Sequence, residues 1–223
     1  VVAVARQYGR PVLYDLGSGL LNGEMYAGVI PPDEPSVAAL LAAGVDVVTF
    51  SGDKLFGGPQ CGVAVGKKDY IRLMGADNLY RALRPGKETY ALLGAVVDAY
   101  LAGRPDEIPT YRLLRRRPEE VRALAGEVAE VFRGWPEFRC DVVADEALVG
   151  GGTLPRLTLP TFAAQVSRAG TTPRGFAATL RKLSPPVIGR VADDGVRLDA
   201  RSLLEEDIPL IRRAVAPLTS GAA

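Results

Sequence analysis

The sequence predicts an α/β protein whose first part is a mostly parallel sheet covered by helices and whose remainder is a smaller α+β region. Three observations predict it. "RPVLYDLGSG", "EPSVAALLAAG" and "VDVVTF" follow one another as strand, helix and strand, the grammar of a βαβ unit in a parallel sheet. "VDVVTF" is a continuous apolar, β-branched run, the mark of a strand covered on both faces. Beyond a proline- and arginine-rich stretch from Pro105 to Pro118, the order changes to helix, strand-like pieces, helix, ribbon and helix, as α+β regions read.

The elements follow in chain order. The first strand runs apolar to Leu13 and breaks at Asp15 and Gly17, as a buried strand does when it ends at a site. "EPSVAALLAAG" is a short helix with Pro35 at its start and Gly44 just past its end. After "VDVVTF" and a glycine turn, "CGVAVG" is another strand and "KKDYIRLMG" a helix. From Lys87 to about Ala102 apolar residues recur at helical spacing. The change of composition near Pro105 marks a hinge, with a boundary expected between residues 104 and 105. "PEEVRALAGEVAEVFRGW" is a helix opened by Pro118 with two acidic residues at its positive end. "FRCDVVA" and "PRLTLP" are strand-like, "TPRGFAATLRKL" is a helix, "PPVIGRVADDGVRLDA" is a ribbon turning at Asp194 and Gly195, and a last helix ends near Leu218. The sequence contains no repeat, low-complexity tract or Gly/Ser linker.

Composition narrows the function. The chain has 223 residues, 48% of them hydrophobic, enough for one large or two modest domains with a proper core. Lys plus Arg number 27 against 26 Asp plus Glu, so an anionic partner must be caught by a local patch. Cys61 and Cys140 lack the CxxC spacing of a redox or zinc site, and such sparing use fits a cytoplasmic protein. The absence of histidine removes Ser/His/Asp and Cys/His triads and every His-bearing metal site, leaving acid and base work to Lys, Asp, Glu, Tyr or a cofactor. No apolar run reaches the ~20 residues of a membrane span. The opening "VVAVARQYGRPVLYD" has no signal-peptide order and reads as mid-domain, so the chain is expected to be a fragment.

The chemistry centres on "VVTFSGDKLFGGPQCGVAVG". Lys54 stands at the end of a buried strand before a glycine-rich turn, either as a surface lysine at a loop or as a desolvated amine held for reaction. Ser51 stands three residues before it, and Asp15, 39 residues earlier, ends the preceding strand of the same unit. In a parallel sheet such strand ends share one edge, where ligands bind. Singly, Asp15 reads equally well as a turn acid before "GSG" and Ser51 as a turn serine. Together with Lys54 they suit pyridoxal phosphate: the lysine for a Schiff base, the carboxylate for the pyridine nitrogen, the hydroxyl for the phosphate.

Other motifs compete less well. "SGDK" fits the S-x-x-K of penicillin-binding proteins, but S-D-N and K-T-G are missing and Gly52 and "GGP" bracket a turn where that family opens a helix. "GSG" is not G-x-G-x-x-G, and no P-loop motif is present. Arg81 and Arg84, in "NLYRALRPGKETY", would share one helical face and either grip an oxyanion or form a solvated face. Arg115 to Arg117 are read as solvated or interdomain surface.

"FSGDKLFGGPQCGVAVGKKDYI", "LYRALRPGKETYALLGAVVDAYL", "IPTYRLLRRRPEEV", "VGGGTLPRLTLP" and "PPVIGRVADDGVRLDARSLLEED", in this order, resemble the bacterial selenocysteine synthase family. The resemblance implies the large domain of a fold type I pyridoxal phosphate enzyme followed by a small C-terminal domain, with Lys54 as Schiff-base lysine and Asp15 as pyridinium partner. It also implies that Arg81 and Arg84 line the active site and hold the selenium donor. The reaction implied is loss of water from the serine of seryl-tRNA(Sec) and addition of selenium from selenophosphate, with Lys54 carrying protons. Members of the family form rings of dimers. They are longer, and the parts absent here would supply the ring-stacking residue and much of the phosphate cup, so this chain alone is expected to be inactive. Two alternatives stand beside this reading: a pyridoxal phosphate lyase acting on a free amino acid or amino sugar acid, and a non-catalytic binding fragment.

Overall fold

The structure, a computed structural model, describes residues 1–150 and 152–219. The chain divides into two compact units, Val1–Arg115 with Val149–Leu157, and Arg116–Leu148 with the residues from Thr158 onward. This division lies further along than the expected 104/105 boundary. The segment past Pro105 belongs to the first unit because its apolar side is buried there: Ile108 and Tyr111 are covered, and the Tyr111 ring lies 5.2 Å from that of Tyr26.

The first unit begins with helix α1 (Val2–Gln7), strand β1 (Leu13–Gly17), helix α2 (Val37–Ala42) and strand β2 (Val47–Ser51). Ser36 caps α2 by accepting from the Ala39 amide, and Gly44, at φ 92°, lets the chain leave the helix. β1 and β2 pair in parallel, with Asp15 opposite Thr49, as the βαβ grammar requires. Strand β3 (Gly62–Gly66) then returns antiparallel to β2, so the described sheet, ordered β1-β2-β3, is mixed. The connection 52–61 is shorter than the dozen or so residues a parallel crossover needs.

β2 is the covered strand: Val47, Val48 and Phe50 are buried, and Val48 and Phe50 form a core with Val12, Val37, Val45 and Phe56. Burial of each such side chain contributes about 1.5–3 kcal/mol. β1 departs from its expected burial. It borders β2 on one side only, and Leu13, Tyr14 and Asp15 are exposed. Helices α3 (Lys68–Ala76), α4 (Asn78–Leu83), α5 (Lys87–Leu101) and α6 (Pro109–Arg115) complete the unit.

Asp46, fully buried at the start of β2, fastens the sheet. One carboxylate oxygen accepts from the Val12 amide (2.8 Å) and the other from Lys67 (2.6 Å) and Arg6 (3.4 Å), while the Asp46 carbonyl accepts from the Lys67 amide. The residues flanking all three strands therefore meet at one carboxylate. The Lys67 bond, then the Val12 amide, holds that carboxyl below the usual range.

The second unit packs helices α7 (Pro118–Arg133), α8 (Pro173–Arg181) and α9 (Asp207–Thr219) on an antiparallel sheet. Its strands are β4 (Phe138–Leu148), β5 (Thr158–Arg168), β6 (Arg190–Ala192) and β7 (Gly195–Asp199), in the order β4-β5-β7-β6. α7 buries Val121, Leu124, Ala125, Val128, Ala129 and Phe132 on one stripe, the spacing that an amphipathic helix requires. Between β6 and β7 the two-residue loop is Asp193–Asp194, with Ala192 paired to Gly195. Gly195 is thus the first strand residue rather than part of the turn. Its place in the strand admits no side chain, since an added methyl would meet the Val166 carbonyl oxygen at 2.6 Å.

The three consecutive arginines are not one solvated patch. Arg115 bonds the Met25 carbonyl and lies over the Tyr111 ring. Arg116, its side chain buried, bonds the carbonyls of Leu203 and Ala200 and pairs with Glu205 at 2.8 Å. Arg117 pairs with Glu120, whose carboxylate also accepts from the Arg117 amide at the start of α7.

Candidate active site

Parallel pairing sets Asp15 beside Thr49 of β2, whose hydroxyl donates to the Asp15 carboxylate at 3.0 Å; Asp15 is the middle residue of β1, not its last as the sequence suggested, because the pairing with β2 continues to Gly17. Thr49 is the hydroxyl residue in an otherwise apolar run, and its register with Asp15 fixes how the carboxylate is turned. Lys54 follows β2 on a tight turn in which the Gly57 amide donates to the Lys54 carbonyl. The side chain is half-buried, and among the described residues Nζ has no hydrogen-bond or ion-pair partner. It reaches over the end of β1: a methyl group added at Gly17 would sit 3.9 Å from Nζ. The amine therefore reaches the last residue of β1, two positions beyond Asp15, and is left unneutralised. Ser51, the last residue of β2, donates its hydroxyl to Asp53 at 2.6 Å.

The turn that carries Lys54 is fastened from several sides. The Gly52 amide donates to the Cys61 carbonyl (2.8 Å) and the Gly58 amide to the Gly52 carbonyl (2.7 Å). Only glycine fits at 52, because a methyl there would lie 2.8 Å from both Cys61 Sγ and the Pro59 carbonyl oxygen. The Leu55 amide donates to the Ser18 carbonyl (3.0 Å), joining the turn to the 17–19 loop. Beneath the turn, Tyr26 donates its hydroxyl to the Leu55 carbonyl and Tyr100 donates to that of Phe56, each at 2.9 Å. Burial pushes both phenols up, Tyr100 to about 12, so both remain donors at neutral pH. Sequence reasoning missed these tyrosines, since their partners lie 29 and 44 positions away and no local pattern links them.

The arginines differ from the sequence reading. Arg81 lies in the last turn of α4, whereas Arg84 lies past its end in extended backbone (φ −64°, ψ 122°). They do not share a helical face, because the helix stops before Pro85. Both are exposed, and among the described residues no hydrogen bond or ion pair joins either to Lys54, Asp15 or Ser51. No described helix is long and apolar enough to cross a membrane.

Fold and site define an α/β protein in which an unpaired lysine on the turn after β2 reaches the end of β1, two residues beyond an oriented acid. Comparison with known proteins places it further. The family model described as SelA, L-seryl-tRNA selenium transferase, matches residues 1–204. The L-seryl-tRNA(Sec) selenium transferase of Geobacter sulfurreducens is 40% identical over 224 residues, covering 99% of this chain and 48% of that protein. That of Aquifex aeolicus is 34% identical over 220 residues, covering 99% and 48%. The chain belongs to the L-seryl-tRNA selenium transferase family, and it spans about half the length of the curated relatives it matches. Among solved structures, a Burkholderia pseudomallei sphingosine-1-phosphate lyase aligns with 99% of this chain and 48% of its own at 16% identity and a TM-score of 0.33, a likeness too distant to bear on the site.

Proposed function

We propose that this chain carries the lysine-and-acid half of a pyridoxal phosphate site in an enzyme converting seryl-tRNA(Sec) to selenocysteinyl-tRNA(Sec) with selenophosphate as donor. The observation that carries the reading is the half-buried Lys54 amine, without a partner among the described residues, over the end of the strand that carries Asp15 two residues earlier. An amine not tied up in an ion pair stays available as a nucleophile. The residues fit the cofactor: Lys54 would hold its aldehyde carbon, Asp15 its ring nitrogen, and Ser51, on exchanging Asp53 for it, its phosphate. When bound, the cofactor supplies an electron sink for the carbanion left by loss of the serine α proton. Lys54 Nζ then serves as the base that carries that proton, and Thr49 keeps the Asp15 carboxylate facing one way. Arg81 and Arg84 hold the anionic donor in this reading, and the exposed Leu79, Leu83, Leu92 and Leu101 support assembly into a homo-oligomer. The setting proposed is the cytoplasm.

Borohydride reduction of the chain with pyridoxal phosphate, followed by peptide mass mapping, tests the site. The expected result is a label on Lys54 well above that on Lys67, Lys68, Lys87 and Lys182, and a weaker label in Asp15→Asn. An even label across the lysines, or none, refutes the assignment.

A further inference from the structure

The hydroxyl of Ser18 is buried and has no hydrogen-bond partner among the described residues, although the residue itself is only 7% exposed. Its backbone, by contrast, is fully engaged: the amide donates to the Leu16 carbonyl (2.7 Å) and the carbonyl accepts from the Leu55 amide (3.0 Å). A buried hydroxyl without a partner destabilises the fold, and alanine would fill the same space without that cost. Its position explains why serine stands there.

Ser18 lies between two glycines, both at positive φ, that touch the chemistry on either side. Gly17 faces the Lys54 amine, and at Gly19 a methyl would meet the Ser51 carbonyl oxygen at 2.9 Å. The backbone from 17 to 19 is therefore wedged between Lys54 and the end of β2, so Ser18 and its buried, unpartnered hydroxyl sit between those two elements. A pyridoxal ring presents three groups near its reacting carbon: the aldehyde, the ring nitrogen and the phenolic oxygen beside the aldehyde. Lys54 and Asp15 answer the first two, and the third has no donor among the residues described above.

We propose that Ser18 is a positioning residue whose hydroxyl donates a hydrogen bond to the phenolic oxygen of pyridoxal phosphate held by Lys54. This rests on the cofactor reading above. A donor to that oxygen draws negative charge away from the proton shared between it and the lysine nitrogen, so that proton leaves at lower pH. No atom other than the proton is transferred.

The test is a pH titration of the visible absorbance of the chain loaded with pyridoxal phosphate, together with the cofactor dissociation constant and a thermal melt of the cofactor-free chain. Ser18→Ala is expected to raise the proton affinity of the bound cofactor, and to weaken cofactor binding, by roughly threefold to tenfold, the range of one hydrogen bond. Ser18→Cys, of similar shape with a poorer donor, falls between. The melt of cofactor-free Ser18→Ala stays level or rises, since an unpaired group has gone. A Lys54-dependent band with unchanged titration and affinity in both variants overturns the role of Ser18 and leaves the cofactor reading standing. No Lys54-dependent band in the wild-type chain overturns the cofactor reading, and this inference with it.

Discussion

Replacing Tyr26 by phenylalanine removes one oxygen atom, yet it reaches the Lys54 turn through the carbonyl of the next residue. Tyr26 is wholly buried, and its hydroxyl is the donor to the Leu55 carbonyl, one residue from Lys54. Phenylalanine keeps the ring against Tyr111, 5.2 Å between centroids, so the perturbation is the unpaired carbonyl and not a cavity. A buried acceptor left without its donor costs about 1–3 kcal/mol, which for a chain of this size lowers the melting midpoint by roughly 2–10 °C. Tyr100→Phe does the same to the Phe56 carbonyl. The two hydroxyls serve adjacent carbonyls of one turn, so the double variant loses a sum that departs from additivity. Melts followed by circular dichroism measure the loss, and borohydride trapping with pyridoxal phosphate measures whether the amine is still presented. Because the Tyr100 phenol is raised to about 12 by burial, its contribution is whole below the ordinary phenol value and drains as pH climbs through that value toward the raised one. Tyr100→Phe should flatten that alkaline decline. A Tyr26→Phe midpoint within about one degree of wild type, with trapping unchanged, would refute the reasoning that these phenols hold the turn.

Two further predictions concern the sheet and the arginines. The Asp46 carboxyl is held below its ordinary range, so the stability it contributes is complete above that range and is lost as pH falls through it; the urea midpoint of the wild type should drop more steeply on acidification than that of Asp46→Asn, and parallel curves would exclude this role. If Arg81 and Arg84 hold the selenium donor, the double alanine variant keeps cofactor binding while abolishing selenium transfer in the enzyme that contains this chain. Loss of cofactor absorbance in that variant would count against the assignment.

The parallel pairing of β1 with β2 was legible because a βαβ pattern by itself sets two strands side by side, and the register bears this out, though it places Asp15 opposite Thr49 in mid-strand and not at the strand end. The long α5 and α7 were equally plain from their spacing. What escaped were relations set by chain distance. Nothing local to "LNGEMYAG" announces that Tyr26 supports the Lys54 turn, and Asp46, inside an apolar run, gives no sign that Val12, Lys67 and Arg6 converge on it. The direction of β3 depends on the shortness of 52–61, a constraint of geometry that an apolar pattern does not express. Arg116 reads as one charge in a run of three, and only the fold shows it enclosed by Ala200, Leu203 and Glu205. Arg81 and Arg84 look like neighbours on a helix until Pro85 ends it.

The open flank of β1 divides the crevice into a settled side and a negotiable one. The turn that carries Lys54 is fixed by its own bonds and by Ser18, Tyr26 and Tyr100, whereas Asp15 stands on a strand whose outer backbone groups face no neighbouring strand among the described residues. Any segment laid along that flank gains ladder hydrogen bonds and sets its own alternate side chains next to the carboxylate. The surroundings of Asp15 can therefore change with whatever is added there while the Lys54 turn stays as it is.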